Sequence, residues 1–464
     1  MCPDTLSRPA CTDASPVAPL LEVIGADTLV PLVDGRTVPY ANLDVAASAP
    51  ALAVVAERVA QVLPLYASVH RGAGYLSQVS TALYEASRRS VATLVGARAD
   101  DVTIFTRNTT DSLNLLAGAV PGRVLVLDIE HHANLLPWHR ASGGATVVTG
   151  APTITETLDL LRAELARASY ALVACTGASN VTGEALPLAD VVALAHEAGA
   201  RVAVDGAQLV PHRRVDVAAA GIDYLAFSGH KTYAPYGAGV LIGRRDWLDA
   251  APAYLAGGGA VRSVSADGVT WAPSPARHEA GSPNVIGAVA LAAACDALAE
   301  LDAAAAHAHE DALRDRLESG LCGIDGVEVL RVWADSTDRV GVVAFAVPGH
   351  DPGLVAAYLA AEHGIGVRDG KFCAHPLLAR LGHGTGAIRA SVGLGSGSEH
   401  VDRLVEALAA YLTDGPGASY VVVDGCWVVA DDPRPVPDVS GLSGLVATAA
   451  VANAAVAGGC APGA

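Results

Sequence analysis

Lysine is almost missing from this chain: Lys and Arg together number 30, and only Lys231 and Lys371 are lysines. Positive charge is carried by guanidinium groups, which stay protonated and do not act as nucleophilic amines. Any amine chemistry therefore falls to one of two side chains. Charged residues make up only 17% of the chain against 52% apolar, yet there is no clean apolar run. About 20 such residues are needed to cross a bilayer, so no membrane anchor is expected. The segment Met1 to Leu20 has no basic stretch followed by an apolar one, so no secretory signal is read there and the expected location is cytoplasmic. Cysteines at 2, 11, 175, 295, 322, 373, 426 and 460 show no metal-ligand spacing. They are expected to be reduced thiols, with no metal site. A net charge of −18 repels polyanions, which argues against nucleic acid or membrane as the partner and in favour of a small metabolite.

What is present is alternation. Short β-branched runs at Val102 to Thr106, Val124 to Asp128, Ala171 to Thr176, Arg201 to Asp205, Tyr224 to Ser228 and Gly239 to Gly243 are separated by Ala/Leu-rich helical stretches. This pattern implies βαβ units and a mostly parallel buried sheet with functional groups at the strand C-terminal ends. One long Ala-rich helix is expected near Val289 to Arg316, followed by strands at Val327 to Trp333 and Gly341 to Val347 and helices at Pro352 to His363 and Glu399 to Leu412. The expected divisions are a segment 1–38 packing on the small domain, a large domain 39–305, a small α+β domain 306–415 and an extension 416–464. Within the extension, Ser419 to Ala430 alternates around Asp424-Gly425, a type I′ hairpin pattern. The nearly uncharged stretch from Gly441 to Ala464 is expected to be weakly ordered.

Two strand ends carry chemistry. Val202 to Gln208 (VAVDGAQ) places Asp205, and Ala226 to Tyr236 (AFSGHKTYAPY) places Lys231, at the ends of buried strands. Asp205 alone would read as a helix cap and Lys231 alone as a surface lysine. Together they match the needs of pyridoxal 5′-phosphate (PLP): a carboxylate for the pyridinium nitrogen and an amine for the aldehyde.

Ten motifs in order then resemble the class V aminotransferase-like PLP enzymes, most closely the cysteine desulfurase and selenocysteine lyase branch. They are NLDVAASAP at 42, SVHRGAGYLS at 68, TRNTTDSLNL at 106, EHHANLLPW at 130, SNVTGEALPL at 179, DGAQ at 205, SGHK at 228, EAGSPN at 279, VRDGKFCAHPL at 367 and IRASVGLGSGSEHVDRL at 388, spanning about 40 to 412. The resemblance implies fold type I, a seven-stranded-type sheet domain with a smaller α+β domain. It further implies that Lys231 carries PLP as a Schiff base, that Asp205 pairs with the ring nitrogen and that His131 stacks on the ring. Asn180 and Gln208 would bond near the phenolic oxygen, and Thr109, Thr110, Ser228 and His230 would cradle the phosphate. Ser282 stands where the family usually has Thr, given by the partner subunit, which implies a homodimer.

Arg389 would clamp a substrate carboxylate, with Arg368 as the second candidate and Asn180 nearby. Cys373, five residues after Arg368, matches the thiol that takes sulfur from L-cysteine and passes it to an acceptor protein, with Lys371 as the cation beside it. Departures bear on this loop: Lys371 and Phe372 replace two histidines, and Asp369 replaces a small residue. The same pocket serves lyases, epimerases and aminotransferases, and a catalytically silent PLP-binding partner is a further alternative.

Overall fold

The computed structural model describes residues 15–70 and 72–435. They divide into two compact units, each with its own core.

The larger unit comprises residues 48–307 and 332–340. Its seven strands are β1 (Val102–Thr106), β2 (Val124–Leu127), β3 (Ala145–Val148), β4 (Leu172–Thr176), β5 (Arg201–Asp205), β6 (Tyr224–Ser228) and β7 (Gly239–Gly243). Their order is β1-β7-β6-β5-β4-β2-β3. The sheet is mostly parallel, as the alternation implied; β7 is the exception, antiparallel to both β1 and β6. Strands β2, β4, β6 and β7 are buried at every position, which explains their unbroken aliphatic runs. Strand β3, Ala-Thr-Val-Val, escaped the sequence reading because it is a four-residue, half-exposed edge strand with no long aliphatic run. The exposed hairpin of β8 (Val261–Ser265) and β9 (Gly268–Trp271) escaped for the same reason.

Helix α1 (Thr109–Ala117) follows β1 and buries Leu113, Leu115 and Leu116. The single Ala-rich helix expected near 289–316 is in fact two, α2 (Val285–Glu300) and α3 (Ala303–Cys322). The break has a local cause. Asp302 Oδ1 accepts the N–H groups of Ala304 and Ala305 at 2.8 and 3.2 Å, capping α3. Arg214 donates to the carbonyls of Ala299 and Leu301 at 2.6 and 2.8 Å, satisfying the end of α2.

The smaller unit holds, among the described residues, 15–47, 308–331 and 341–435. Its antiparallel sheet consists of β10 (Glu328–Val329), β11 (Val342–Ala346), β12 (Arg368–Gly370) and β13 (Ala387–Ser391), ordered β10-β11-β13-β12. Leu313, Leu317 and Leu321 fall four residues apart on one face of α3 and pack with Phe345, Ile388 and the residues of α4 (Pro352–His363) and α5 (Ser398–Asp414). Ala41–Asn42 pairs in parallel with Ile365–Gly366, so residues 41–47, read from the sequence as the start of the large domain, lie in this unit. Val17 joins the same unit: its carbonyl accepts the N–H of Ser398 at 2.8 Å.

The strand expected through Trp333 stops at Val329. Residues 332–340 belong to the larger unit because the buried Glu184 carboxylate accepts the N–H groups of Val332 and Trp333 at 2.6 and 3.1 Å. The C-terminal hairpin forms as expected, with β14 (Tyr420–Val423) and β15 (Cys426–Val429) joined by Asp424 at φ 50° and Gly425 at φ 82°. Glu362 of α4 fixes it by accepting from Gly417 N, Ala418 N and Tyr420 OH at 2.9, 3.1 and 2.9 Å. The stretch from Gly441 to Ala464 lies outside the described residues.

Candidate active site

In the larger unit the C-terminal ends of β1, β2, β4, β5 and β6 share one edge of the sheet, and the candidate residues hang from it. Asn108 opens α1 by accepting the N–H of Asp111 at 3.0 Å. Ser228, the last residue of β6, accepts the N–H of Thr109 at 2.7 Å and lies 2.6 Å from the Thr109 hydroxyl. This closeness needs Gly239 on β7, where a Cβ would meet the backbone of Asn108 at 2.4 Å. The amide of Thr110, in the first turn, has no acceptor within its helix. A first-turn N–H, two hydroxyls and the positive end of the helix dipole form a donor set suited to a phosphate.

Asp205 ends β5 and is buried, with Oδ1 accepting the N–H of Ala207 at 2.9 Å. Burial pushes its carboxyl above the usual range, while that N–H and the nearby Lys231 pull the other way. Lys231 lies in the turn after β6, its N–H donating to the Ser228 carbonyl at 3.3 Å. Burial, then Lys231, holds His230 below its ordinary pKa, so it is neutral near pH 7. A buried acid within electrostatic reach of a half-buried amine fits PLP, whose ring nitrogen and aldehyde need those two groups.

Beside this pair lies a group that the sequence reading missed. Glu130 is fully buried, accepting from Asn134 Nδ2 at 2.7 Å and from Thr176 N at 3.0 Å. Burial raises its pKa to about 8, with Asp205 and Asp128 adding to the shift. The motif around it drew attention to its neighbour His131, whereas its burial is set by strands distant in sequence. Burial also pushes the thiol of Cys175 well up, so this cysteine is not a nucleophile.

His131 accepts the N–H of Ala133 at Nδ1, 3.0 Å away, so the neutral ring carries its proton on Nε2. Asn180 is buried in a turn organised by Ser179, whose hydroxyl accepts the N–H groups of Val181 and Thr182, each at 3.2 Å. Gln208 is likewise buried, in the turn that follows Asp205. Ser282 stands on the exposed turn before α2, beside Gly281 at φ +89°.

In the smaller unit, Arg368 on β12 and Arg389 on β13 are direct cross-strand partners. Arg389 is 4% exposed and donates from Nη2 to Asp44 Oδ1 at 2.9 Å; Arg368 Nη1 lies 4.0 Å from the other Asp44 oxygen. Burial lowers the pKa of Arg389, Asp44 opposes that, and Cys373 adds a smaller effect in the same sense as Asp44. Arg389 thus lies within electrostatic reach of Cys373, in addition to the Lys371 singled out from the sequence. Phe372, in place of a histidine, is buried with its ring centre 5.5 Å from the Arg389 guanidinium carbon. Phe372 and Cys373 both take left-handed backbone, at φ 52°. His375 begins the short helix that follows.

The geometry now has known counterparts. Residues 41–404 match the family described as aminotransferase class-V. A cysteine desulfurase of Dickeya dadantii is 40% identical over 382 residues, covering 80% of this chain and 91% of its own length. Among solved structures, an Escherichia coli cysteine desulfurase in S-sulfonic acid form is 38% identical with a TM-score of 0.72, covering 80% of this chain and 94% of its own. The apo cysteine desulfurase of Thermococcus onnurineus is 33% identical with a TM-score of 0.74, again over 80% and 94%. Among the described residues no helix is long and apolar enough to cross a membrane.

Proposed function

This chain belongs to the class-V aminotransferase family of PLP-dependent enzymes, and from that footing we propose that it is a cysteine desulfurase that removes sulfur, or selenium, from L-cysteine-type substrates and releases alanine. The observation that carries the reading is Cys373, five residues after Arg368 and within electrostatic reach of the buried Arg389. The relatives named cysteine desulfurase give it context.

When bound, PLP supplies an electron sink for negative charge at the substrate Cα. The protein's own groups do the rest. Lys231 would hold the cofactor through its side-chain amine, and that amine is the base placed to take and return a proton at the substrate Cα. Asp205 holds the proton at the ring nitrogen, and His131, Asn180 and Gln208 orient the ring. Thr109, Thr110, Ser228 and His230 hold the phosphate, joined by Ser282 across a homodimer. Arg389, with Arg368, binds the substrate carboxylate through its planar fork. The Cys373 sulfur attacks the substrate sulfur: the Cβ–S bond breaks, an S–S bond forms, and the electron pair left on carbon is protonated to give alanine. The persulfide on Cys373 then serves a sulfur-acceptor protein in the cytoplasm.

A second reading, a C–S or C–N lyase without a persulfide, is favoured by Phe372, an apolar ring packed against Arg389 where the resemblance implies a histidine. One assay separates them: alanine and sulfide released from L-cysteine under reducing conditions, wild type against Cys373→Ala. Alanine formation that collapses in the variant supports the desulfurase. Alanine formation unaffected by the variant, or none from PLP-loaded wild type, sinks it.

A further inference from the structure

Asp44 stands where a substrate carboxylate would compete with it, although nothing in the reaction proposed above uses it. It is locked in place. Its N–H donates to Asn42 Oδ1 at 3.1 Å, and its backbone bridges to Ser391, two residues beyond Arg389 on β13. Ser391 N donates to the Leu43 carbonyl at 2.7 Å and Ser391 Oγ accepts the Ala46 N–H at 3.0 Å, so both flanks of Asp44 are tied to the strand that carries Arg389. Its two oxygens are divided between the two arginines, 2.9 Å from Arg389 and 4.0 Å from Arg368. Asp369, the other nearby acid, projects to the opposite face of β12 by strand alternation, where its Oδ2 lies 3.5 Å from the place a Cβ would occupy on Gly353 of α4. Two guanidinium groups thus share one fixed carboxylate, leaving a net single positive charge on the cluster.

We propose that Asp44 is a specificity-determining counterweight that weakens anion binding at the Arg389–Arg368 pair. It leaves the pair able to hold one amino-acid carboxylate and unable to be occupied tightly by simple carboxylates in the surrounding solution. Like charges a few ångströms apart in a partly buried site repel, so a fixed carboxylate beside the pair opposes the entry of another. Removing this negative charge tightens anion binding, whereas removing Arg368, which is 54% exposed and far from the core, loosens it. The inference rests on the reading of Arg389 as the carboxylate clamp.

The test is calorimetric titration of the PLP-loaded protein with propionate, comparing wild type with Asp44→Asn, Arg368→Gln and Arg389→Ala. Asn keeps a hydrogen-bond acceptor for Arg389 and removes only the charge. The expected outcome is a Kd about tenfold lower in Asp44→Asn, about tenfold higher in Arg368→Gln, and no measurable binding in Arg389→Ala. A structural role for Asp44 would weaken binding in Asp44→Asn, so an unchanged or higher Kd there overturns the inference alone. Undiminished binding in Arg389→Ala overturns the clamp reading and the inference with it. Should Asp44→Asn fail to fold, Arg368→Gln alone decides, since a Kd equal to wild type would remove the charge-balance argument.

Discussion

Ser228 accepts the backbone N–H of Thr109 at 2.7 Å, joining the end of β6 to the first turn of the helix that follows β1. Ser228→Ala leaves that buried amide without its acceptor and removes a hydroxyl from the candidate phosphate cradle. An orphaned buried donor costs about 1–3 kcal/mol. The expected result is a PLP affinity lower by roughly tenfold or more, 1.4 kcal/mol per factor of ten. Absorbance titration of the apoprotein checks it, and an affinity equal to wild type would remove Ser228 from the cradle.

The cofactor half of the site was the more legible in sequence, and the reason is physical. Parallel strands buried on both faces give unbroken aliphatic runs, and the polar groups stand at or just past their ends, Asp205 as the last residue of β5 and Lys231 three residues after β6. Thr109 and Asn180 are placed by the same rule after β1 and β4. What escaped depends on distant pairing. The Asp44–Arg389 contact joins residues 345 positions apart, and nothing near Asp44 in the chain indicates the strand it lies beside. Glu130 was overlooked beside the more conspicuous His131, because its pKa is set by the packing of β4 and β5 around it. The break between α2 and α3 was hidden by composition: the alanines on both sides read as one helix, and what divides them is the cap from Asp302 together with the distant Arg214 on the carbonyls that end α2.

With only Lys231 and Lys371 available, covalent cofactor attachment has a short list of sites. Borohydride reduction of the PLP-loaded protein is expected to fix the cofactor to Lys231, and Lys231→Ala is expected to lose both the fixed label and turnover by at least a thousandfold. Peptide mass mapping reads the first and alanine release the second. A label on Lys371, or full turnover by Lys231→Ala, contradicts the assignment.

The C-terminal hairpin is secured by a single carboxylate with three donors. Glu362→Ala removes the acceptor for Gly417 N, Ala418 N and Tyr420 OH at once. Charge-assisted hydrogen bonds contribute about 1.5–3 kcal/mol each when buried and less when water can replace them, as at these partly exposed amides. The expected loss is about 2 kcal/mol in unfolding free energy, read in denaturant, with protease cleavage of the hairpin accelerated under native conditions. If the hairpin stays protected from protease in Glu362→Ala, its tether lies elsewhere. Burial and the adjacent Glu362 also hold the Tyr420 hydroxyl above its ordinary pKa, so its phenolate absorbance should rise at lower pH in the variant.

Glu130 makes the protein's stability depend on pH in a sense opposite to that of a salt-bridged acid. Its pKa rises from about 4.5 to about 8 in the fold, so the folded state keeps a proton that the unfolded chain has already released. The stabilisation is fully present below the unfolded value and is lost as pH climbs through that window, at up to about 1.4 kcal/mol per pH unit while the two states differ by one proton. Above about pH 8 both states are ionised and this contribution no longer changes. Glu130→Gln cannot ionise and keeps an acceptor for only one of the two donors, Asn134 Nδ2 or Thr176 N, a loss that does not vary with pH and so leaves the pH slope to report the titration. The variant is therefore expected to gain on wild type steadily between pH 5 and pH 8, with the difference levelling off beyond. Denaturant unfolding at four pH values across that range checks it. Parallel curves for the two proteins would mean that Glu130 is already ionised at pH 5, held as a carboxylate by the N–H of Thr176 and the side chain of Asn134.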